Sequence, residues 1–172
     1  MLKVSSARTK TGGCFVKGND KLIGVLNQLL ADELGAISQY MVHAEMCENW
    51  GFGGLHAAIE KQAMDEMHHA EWLIARILFL DGKPVVTELS PIVIGQSALD
   101  MITNDQDAEL GAVKAYNAGI ALASEVGDES TADLLIEILK MEEGHVRWAE
   151  QQRTQIDQMG LENYLAQQAG EG

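Results

Sequence analysis

The chain has 172 residues, with 26 acidic and 12 basic side chains and a formal net charge of −14. This length suits one domain with a substantial core and is short for two. From Asp20 onward 26 acidic residues face 8 basic ones, which excludes nucleic-acid binding by the body of the chain, since phosphate contacts need basic clusters, and favours a surface that attracts cations.

The first 18 residues are predicted to form a flexible extension. They contain Cys14 and four basic residues, and they lack the continuous apolar core of a secretory signal. Cys14 and Cys47 have no metal-binding or redox spacing, which favours two free thiols. No apolar run approaches the roughly 20 residues of a membrane span, so we expect a cytoplasmic protein without membrane contact.

Helix signals dominate the rest of the chain. Four long helices and a short fifth are predicted at about 19–49, 55–80, 97–126, 128–159 and 161–168. The two prolines, Pro84 and Pro91, lie in the connection between the second and third helices. Two tight hairpins joined by one long connection predict an all-α four-helix bundle with a long crossover. The predicted organisation is an extension at 1–18, the bundle at 19–160, and a short C-terminal helix and tail at 161–172.

Two of the predicted helices carry the same charged motif. Glu66 and His69 form Glu-x-x-His on the second helix, and Glu142 and His145 form it on the fourth. Residues three apart on a helix share a face, so each motif points a carboxylate and an imidazole in one direction. A single motif of this kind arises by chance on exposed helices, whereas two in one bundle indicate a shared site.

The other two long helices each place one glutamate in an apolar stripe, Glu33 on the first and Glu109 on the third. Each lies 33 residues before the glutamate of the motif on the next helix, and a tyrosine, Tyr40 or Tyr116, follows each by seven residues. This repeated spacing indicates a duplicated helical hairpin whose halves pair about a pseudo-twofold axis.

Four carboxylates and two imidazoles on four facing helices are the ligand set of a di-iron or di-manganese carboxylate site. Oxygen and imidazole ligands suit these metals better than thiolates do. Four buried glutamates without a cation would be costly, because an unpaired charge in a core loses its hydration. The pattern therefore predicts a two-metal site within the bundle.

The chain resembles the bacterioferritins over nearly its whole length. The resemblance rests on the segments ADELGAISQYMVHA, AMDEMHHAEWLIARILFLDGKP, DAELGA, IEILKMEEGHVRW and MGLENYLAQQ. It implies a ferritin-like bundle that acts as a ferroxidase, oxidising Fe(II) with O2 or H2O2. It also implies a hollow cage of about two dozen identical subunits, built from twofold dimers and filled with ferric mineral, and a small electron-donor protein such as a ferredoxin.

The resemblance also assigns roles to individual residues. Six residues would ligate two iron ions, with Glu66 and Glu142 bridging them: Glu33, Glu66, His69, Glu109, Glu142 and His145. Met67 and its copy in a second subunit would ligate one haem, of b type or a related iron porphyrin, and this haem would aid iron release. One residue past Glu66 is about 100° around the helix, so Met67 can face outward.

Two residues depart from the family pattern. Lys61 replaces a histidine that family members use with Asp65 to bind iron on the cavity face. A charged lysine cannot ligate iron and should pair with Asp65 instead, and His68 is a candidate substitute ligand. Tyr116 stands where an aliphatic residue is usual, and it is interpreted as a packed aromatic or as a second redox-active phenol.

Four other functions compete with this interpretation. A rubrerythrin-like peroxidase would carry paired C-x-x-C motifs, which the chain lacks. A DNA-protecting mini-ferritin, which the basic extension could suit, places its iron ligands between subunits. A di-iron oxygenase would need a longer chain and a substrate cavity. A metal-free structural subunit would not need the complete ligand set.

Overall fold

The computed structural model describes residues 17–169, and these residues form five α-helices and no strand. The helices are α1 (Asp20–Asn49), α2 (Gly53–Phe79), α3 (Ala98–Glu125), α4 (Glu129–Met159) and α5 (Leu161–Gln168). The predicted all-α, ferritin-like bundle is confirmed. Helix α2 begins earlier than predicted because the Phe52 carbonyl already accepts the amide of His56.

Cys14 and nearly all of the predicted extension lie outside the described residues, and the predicted domain division stays a prediction.

Side-chain caps explain where three of the long helices begin. Oxygens of Asn19, Ser97 and Asp128 accept hydrogen bonds from first-turn amides of α1, α3 and α4 respectively. Each cap satisfies an amide that has no partner within its own helix. Gly127 has a φ of +76°, which residues with side chains rarely adopt, and it permits the tight turn between α3 and α4.

Asp128 also ties α4 to α2. Arg76 Nη2 donates to Asp128 Oδ1 at 2.5 Å, and Thr131 Oγ1 donates to Asp128 Oδ2 at 2.7 Å. Burial works against the carboxylate, but the bonds from Thr131 and Arg76 outweigh it and hold the pKa of Asp128 below its usual 3.8. The charged carboxylate therefore stabilises the fold above that pH, and this stabilisation is lost as the pH falls through the lower folded pKa.

We expect Asp128→Ala to lower the free energy of unfolding by about 1–2 kcal/mol, because the cap is lost. Asp128→Asn keeps the capping oxygen but loses the charge and the second acceptor oxygen, so its effect should be smaller. Thermal melting at neutral pH and at about pH 3 measures both, and the difference between wild type and Asp128→Asn should shrink at the lower pH. A difference that stays the same at both pH values would contradict a contribution from the charge.

The crossover between α2 and α3 runs alongside α1 and in the same direction. Four of its backbone amides donate hydrogen bonds to residues of α1, and the acceptor lies further along α1 each time: Val85 to Asn27 Oδ1, Ser90 to the Ala31 carbonyl, Val93 to Gln39 Oε1 and Gly95 to His43 Nε2. The chain thus returns to the end of the bundle where α2 began, and α3 runs parallel to α2. This confirms the long crossover of the ferritin-like topology.

Two clusters of buried apolar side chains fill the two ends of the bundle. One contains Leu22, Leu26 and Ile77, and the other contains Ile59 and Tyr164, through which α5 joins the core. The four buried glutamates, His69 and His145 lie between these clusters, at the middle of the bundle. Within residues 17–169, no helix has both the length and the apolar character needed to cross a membrane.

Candidate metal centre

All six predicted ligands converge at the middle of the bundle, and none is more than 8% exposed. They form two overlapping groups whose ligand atoms lie within 4.8 Å of one another: Glu33, Glu66, His69 and Glu142 in one, and Glu66, Glu109, Glu142 and His145 in the other. Glu66 and Glu142 belong to both groups. The two shared carboxylates therefore lie between two positions that could each hold a cation.

Each shared glutamate directs one oxygen towards each histidine. His69 Nδ1 lies 2.7 Å from Glu66 Oε2 and 2.9 Å from Glu142 Oε1. His145 Nδ1 lies 2.9 Å from Glu66 Oε1 and 3.7 Å from Glu142 Oε2. The same ring nitrogen faces the carboxylates in both histidines, as expected of two halves related by a pseudo-twofold axis.

Three of these atoms show that the residues fit metal ions. Glu66 Oε1, Glu142 Oε1 and His145 Nδ1 are buried and make no hydrogen bond to any residue in 17–169, although each of them lies 2.9 Å from an atom of the cluster. Buried polar atoms are nearly always paired, so such atoms need an explanation. Cations between the carboxylates and imidazoles would satisfy all three, and this donor set suits iron or manganese.

The charges of the cluster are strongly coupled. Burial raises the pKa of Glu33 and Glu109 well above the usual range, although the adjacent imidazoles of His69 and His145 oppose this. Burial also disfavours the charged forms of Glu142 and His69, but the close approach of carboxylates to imidazoles prevails, lowering the pKa of Glu142 to about 2 and raising that of His69 to about 12. Protons on imidazole thus balance part of the carboxylate charge, and metal ions would take their place.

Two buried tyrosines hydrogen-bond crosswise to the lone glutamates. Tyr40 donates to Glu109, and Tyr116 donates to Glu33. Seven residues span about 10 Å along a helix, so neither phenol reaches the glutamate on its own helix. Burial raises the pKa of both phenols well above the usual value, which keeps them protonated as donors. Tyr116 is packed in the core, which confirms its interpretation as a packed aromatic. Its hydroxyl also orients the carboxylate of Glu33.

A pocket of about 280 Å³ reaches the carboxylates between α1, α3 and the crossover. Small residues, including Gly35 and Ala112, form its walls, and Asp32 and Ser90 lie beside them. A Cβ added at Gly35 would stand 3.1 Å from the Ser90 carbonyl oxygen, so glycine allows the crossover to lie close against α1. The pocket is large enough for small ions and molecules to reach the cluster.

Comparison with known proteins gives a consistent assignment. The family model for the ferritin-like domain matches residues 23–159. The chain is 36% identical over 154 residues to a bacterial ferritin from Synechocystis sp., covering 89% of this chain and 99% of that protein. It is 36% identical over 149 residues to a bacterioferritin from Rhodobacter capsulatus, covering 87% and 92% respectively. The chain belongs to the bacterioferritin family. A bacterial ferritin from Paramagnetospirillum magnetotacticum is 37% identical to it over 158 residues, covering 91% and 96%.

Met67 lies on the outside of the bundle. Its side chain is 36% exposed, whereas the adjacent Glu66 is 1% exposed. Met64 and Leu78 are also exposed, and their spacing of three and eleven residues from Met67 places them on the same stripe of α2. The side chain of Met67 is therefore accessible from outside the subunit.

The predicted pairing of Lys61 with Asp65 is confirmed. Lys61 Nζ donates to Asp65 Oδ2 at 2.7 Å, and the same oxygen lies 3.5 Å from His145 Nε2. These residues line a cavity of about 390 Å³ on the α2–α4 side of the bundle. His68 is exposed and approaches Glu71 at 3.4 Å rather than pairing with Asp65.

A buried polar network near the site was not predicted from the sequence. His43 Nδ1 lies 2.9 Å from Asp105 Oδ1, and Gln39 donates to the same carboxylate oxygen at 2.8 Å. His43 Nε2 accepts the amide of Gly95 at 3.0 Å, so Nδ1 is the ring nitrogen that donates to Asp105. The network fastens the crossover to α1 and α3. The sequence feature that could have indicated this network is the presence of further polar residues on the helix faces that carry Tyr40 and Glu109.

Proposed function

We propose that the chain stores iron by oxidising Fe(II) to Fe(III) at this centre and depositing a ferric mineral inside a cage built from its own copies. The observation that carries this proposal is the placement of Glu66 and Glu142, each of which offers one oxygen to each histidine side of the cluster. Two ions could thus share these carboxylates while each has its own imidazole. The names of the relatives, bacterial ferritin and bacterioferritin, support the same function.

Fe(II) is the substrate in this proposal. Two Fe(II) ions lose one electron each, and H2O2 accepts both electrons with two protons to give two water molecules. O2 accepting two electrons and two protons gives H2O2. The residues of the chain hold both ions within reach of one oxidant, and their anionic oxygens favour the more highly charged Fe(III). The acidic surface raises the local concentration of Fe(II), and the pocket beside Asp32 supplies a route inward.

Crystals soaked with Mn(II), which has the same charge and is less readily oxidised, test the centre directly. We expect two ions between the four helices, about 3.5–4 Å apart as in other two-metal sites, with Glu66 and Glu142 bridging them. Carboxylates turned away into solvent, with no bound ion, would end the proposal. The complete set of six residues within one chain counts against a mini-ferritin, whose ligands come from two subunits.

We further propose that Met67, with Met67 of a second copy, ligates a haem at a twofold interface. An exposed thioether beside the exposed apolar side chains of Met64 and Leu78 fits a hydrophobic porphyrin covered by a second subunit. Thioether is a soft ligand that favours reduced iron, so the group would pass electrons into the mineral and aid iron release. We also propose that the cage contains about two dozen subunits. It would be located in the cytoplasm and would receive electrons from a ferredoxin-like protein.

Lys61 provides a prediction about the later phase of iron uptake. Its ammonium has no lone pair and holds Asp65 in an ion pair, so it should repel a cation on this side of the bundle. We expect Lys61→His to speed the slow phase of iron uptake while leaving the fast initial oxidation unchanged. Stopped-flow absorbance with several hundred Fe(II) per cage separates the two phases.

Lys61→Gln is the matched control, because it removes the charge without supplying an imidazole. It should speed the slow phase less than Lys61→His does. Slow phases that are identical in wild type and Lys61→His would mean that Lys61 is an ordinary solvated lysine with no effect on iron.

A further inference from the structure

The outward ring nitrogens of the two histidines in the metal centre have different partners. Both rings direct Nδ1 into the carboxylate cluster, which leaves Nε2 facing out of it. His69 Nε2 lies 3.4 Å from Met141 Sδ, whereas His145 Nε2 lies 3.5 Å from Asp65 Oδ2. The inner ligands obey the pseudo-twofold symmetry, and the outer partners break it.

This difference matters because the outer partner of a ligating imidazole sets its basicity and orientation. Such rings normally donate their second N–H to a carboxylate, a carbonyl or a water, and loss of that partner typically costs about 10- to 100-fold in metal affinity. A thioether is only a weak acceptor, whereas a carboxylate forms a stronger, charge-assisted bond. His145 should therefore be the better metal ligand of the two.

Lys61 weakens this contrast without removing it. Its Nζ lies 2.7 Å from the same Asp65 oxygen, but 76% of the lysine side chain is exposed. Water screens a charge in that position, so Asp65 keeps most of its strength as an acceptor.

Water is also unable to replace Met141 as the partner of His69. The imidazole of His69 is 0% exposed, and the ring of Trp72 packs against it at a centroid distance of 6.0 Å. The sulfur of Met141 is therefore the acceptor that the fold provides at this nitrogen.

We propose that Met141 and Asp65 make the two halves of the centre unequal, so that a divalent ion fills the His145 position first and the His69 position only at higher concentration. This inference rests on the proposed di-metal function. Paired oxidation needs both positions filled, so Met141 would set the Fe(II) concentration at which it begins.

The test uses the assembled, metal-free protein and Co(II), which needs no oxidant. A two-step binding curve alone is insufficient, because the first ion neutralises the shared carboxylates and weakens the second step in any case. Crystals equilibrated with one Co(II) per subunit, measured at the cobalt absorption edge, show which position is filled. We expect the occupancy at His145 to exceed that at His69 by about tenfold or more.

Substitutions at Met141 assign the cause. Met141→Asp places a carboxylate oxygen as many bonds from Cβ as the sulfur, so it should raise affinity at the His69 position about tenfold and level the two occupancies. Met141→Leu keeps the volume without an acceptor and should preserve the preference. Met141→Asn, a neutral acceptor, should lie between the two.

Asp65→Asn tests the partner of His145. It should lower the affinity for Co(II) at the His145 position and so reduce the difference in occupancy between the two positions. Helix content and the mass of the assembly confirm that each variant folds. Equal occupancy in the wild type, earlier filling at His69, or identical behaviour of Met141→Asp and Met141→Leu would overturn the inference. Absence of Co(II) from both positions would instead overturn the di-metal centre itself.

Discussion

Replacing Glu142 with alanine should slow the initial oxidation of Fe(II) by more than about 100-fold, since losing even an outer partner of a metal ligand costs 10- to 100-fold. Glu142 is 1% exposed and belongs to both ligand groups. Its loss therefore removes a shared oxygen from each ion position at once. Each position would keep three ligands, but only one shared carboxylate, that of Glu66, would remain between the two ions.

The initial rate after mixing the assembled protein with two Fe(II) per subunit in air measures this effect. Glu143→Ala is the matched control, because Glu143 is the next residue of α4 and is exposed, and it should oxidise Fe(II) at the rate of the wild type. Glu142→Ala should still assemble, since the apolar clusters at both ends of the bundle are untouched. An unchanged initial rate in Glu142→Ala would mean that oxidation takes place elsewhere.

Met67→Leu should abolish haem binding while leaving the assembly and the rate of Fe(II) oxidation close to those of the wild type. Leucine has nearly the volume of methionine and cannot coordinate iron, and Met67 lies outside the cluster that holds the substrate ions. Release of stored iron by an external reductant should slow, because the proposed path for electrons into the mineral is lost. Haem content per subunit, measured by absorbance after extraction, gives the direct readout.

Met64→Leu is the matched control for this substitution. Met64 lies one turn before Met67 on the same exposed stripe and is 48% exposed, so it tests whether any methionine on that face serves equally. This variant should keep one haem per two subunits. A full haem content in Met67→Leu would refute the assignment, and loss of haem in both variants would point to a general disturbance of the apolar face.

The helices and the identity of the six clustered residues could be predicted from the sequence, because both follow from local geometry. Apolar spacing predicted the helix bounds to within about two residues. Two residues three apart on a helix share a face whatever the tertiary structure. The repeated interval of 33 residues then placed Glu33 and Glu109 at the level of the two motifs.

The orientation of the polar groups around the cluster depended on packing between helices. The seven-residue spacing put Tyr40 and Tyr116 on the same helix faces as Glu33 and Glu109, but only the antiparallel arrangement of α1 and α3 made their hydrogen bonds cross to the opposite half. The buried pair of His43 and Asp105 joins residues 62 positions apart. No local pattern specifies such a pair, since either residue alone suits an exposed helix position.

The sequence by itself therefore determined an all-α bundle with a symmetric set of carboxylate and imidazole side chains, because periodicity and motif spacing are properties of single helices. Only the tertiary structure decided that the partners of the two outward imidazole nitrogens differ. Met141 meets His69 from 72 residues away, and Asp65 meets His145 across the same α2–α4 contact. The second nitrogen of an imidazole bonds to whatever the neighbouring helix presents, and that depends on how two helix faces pack.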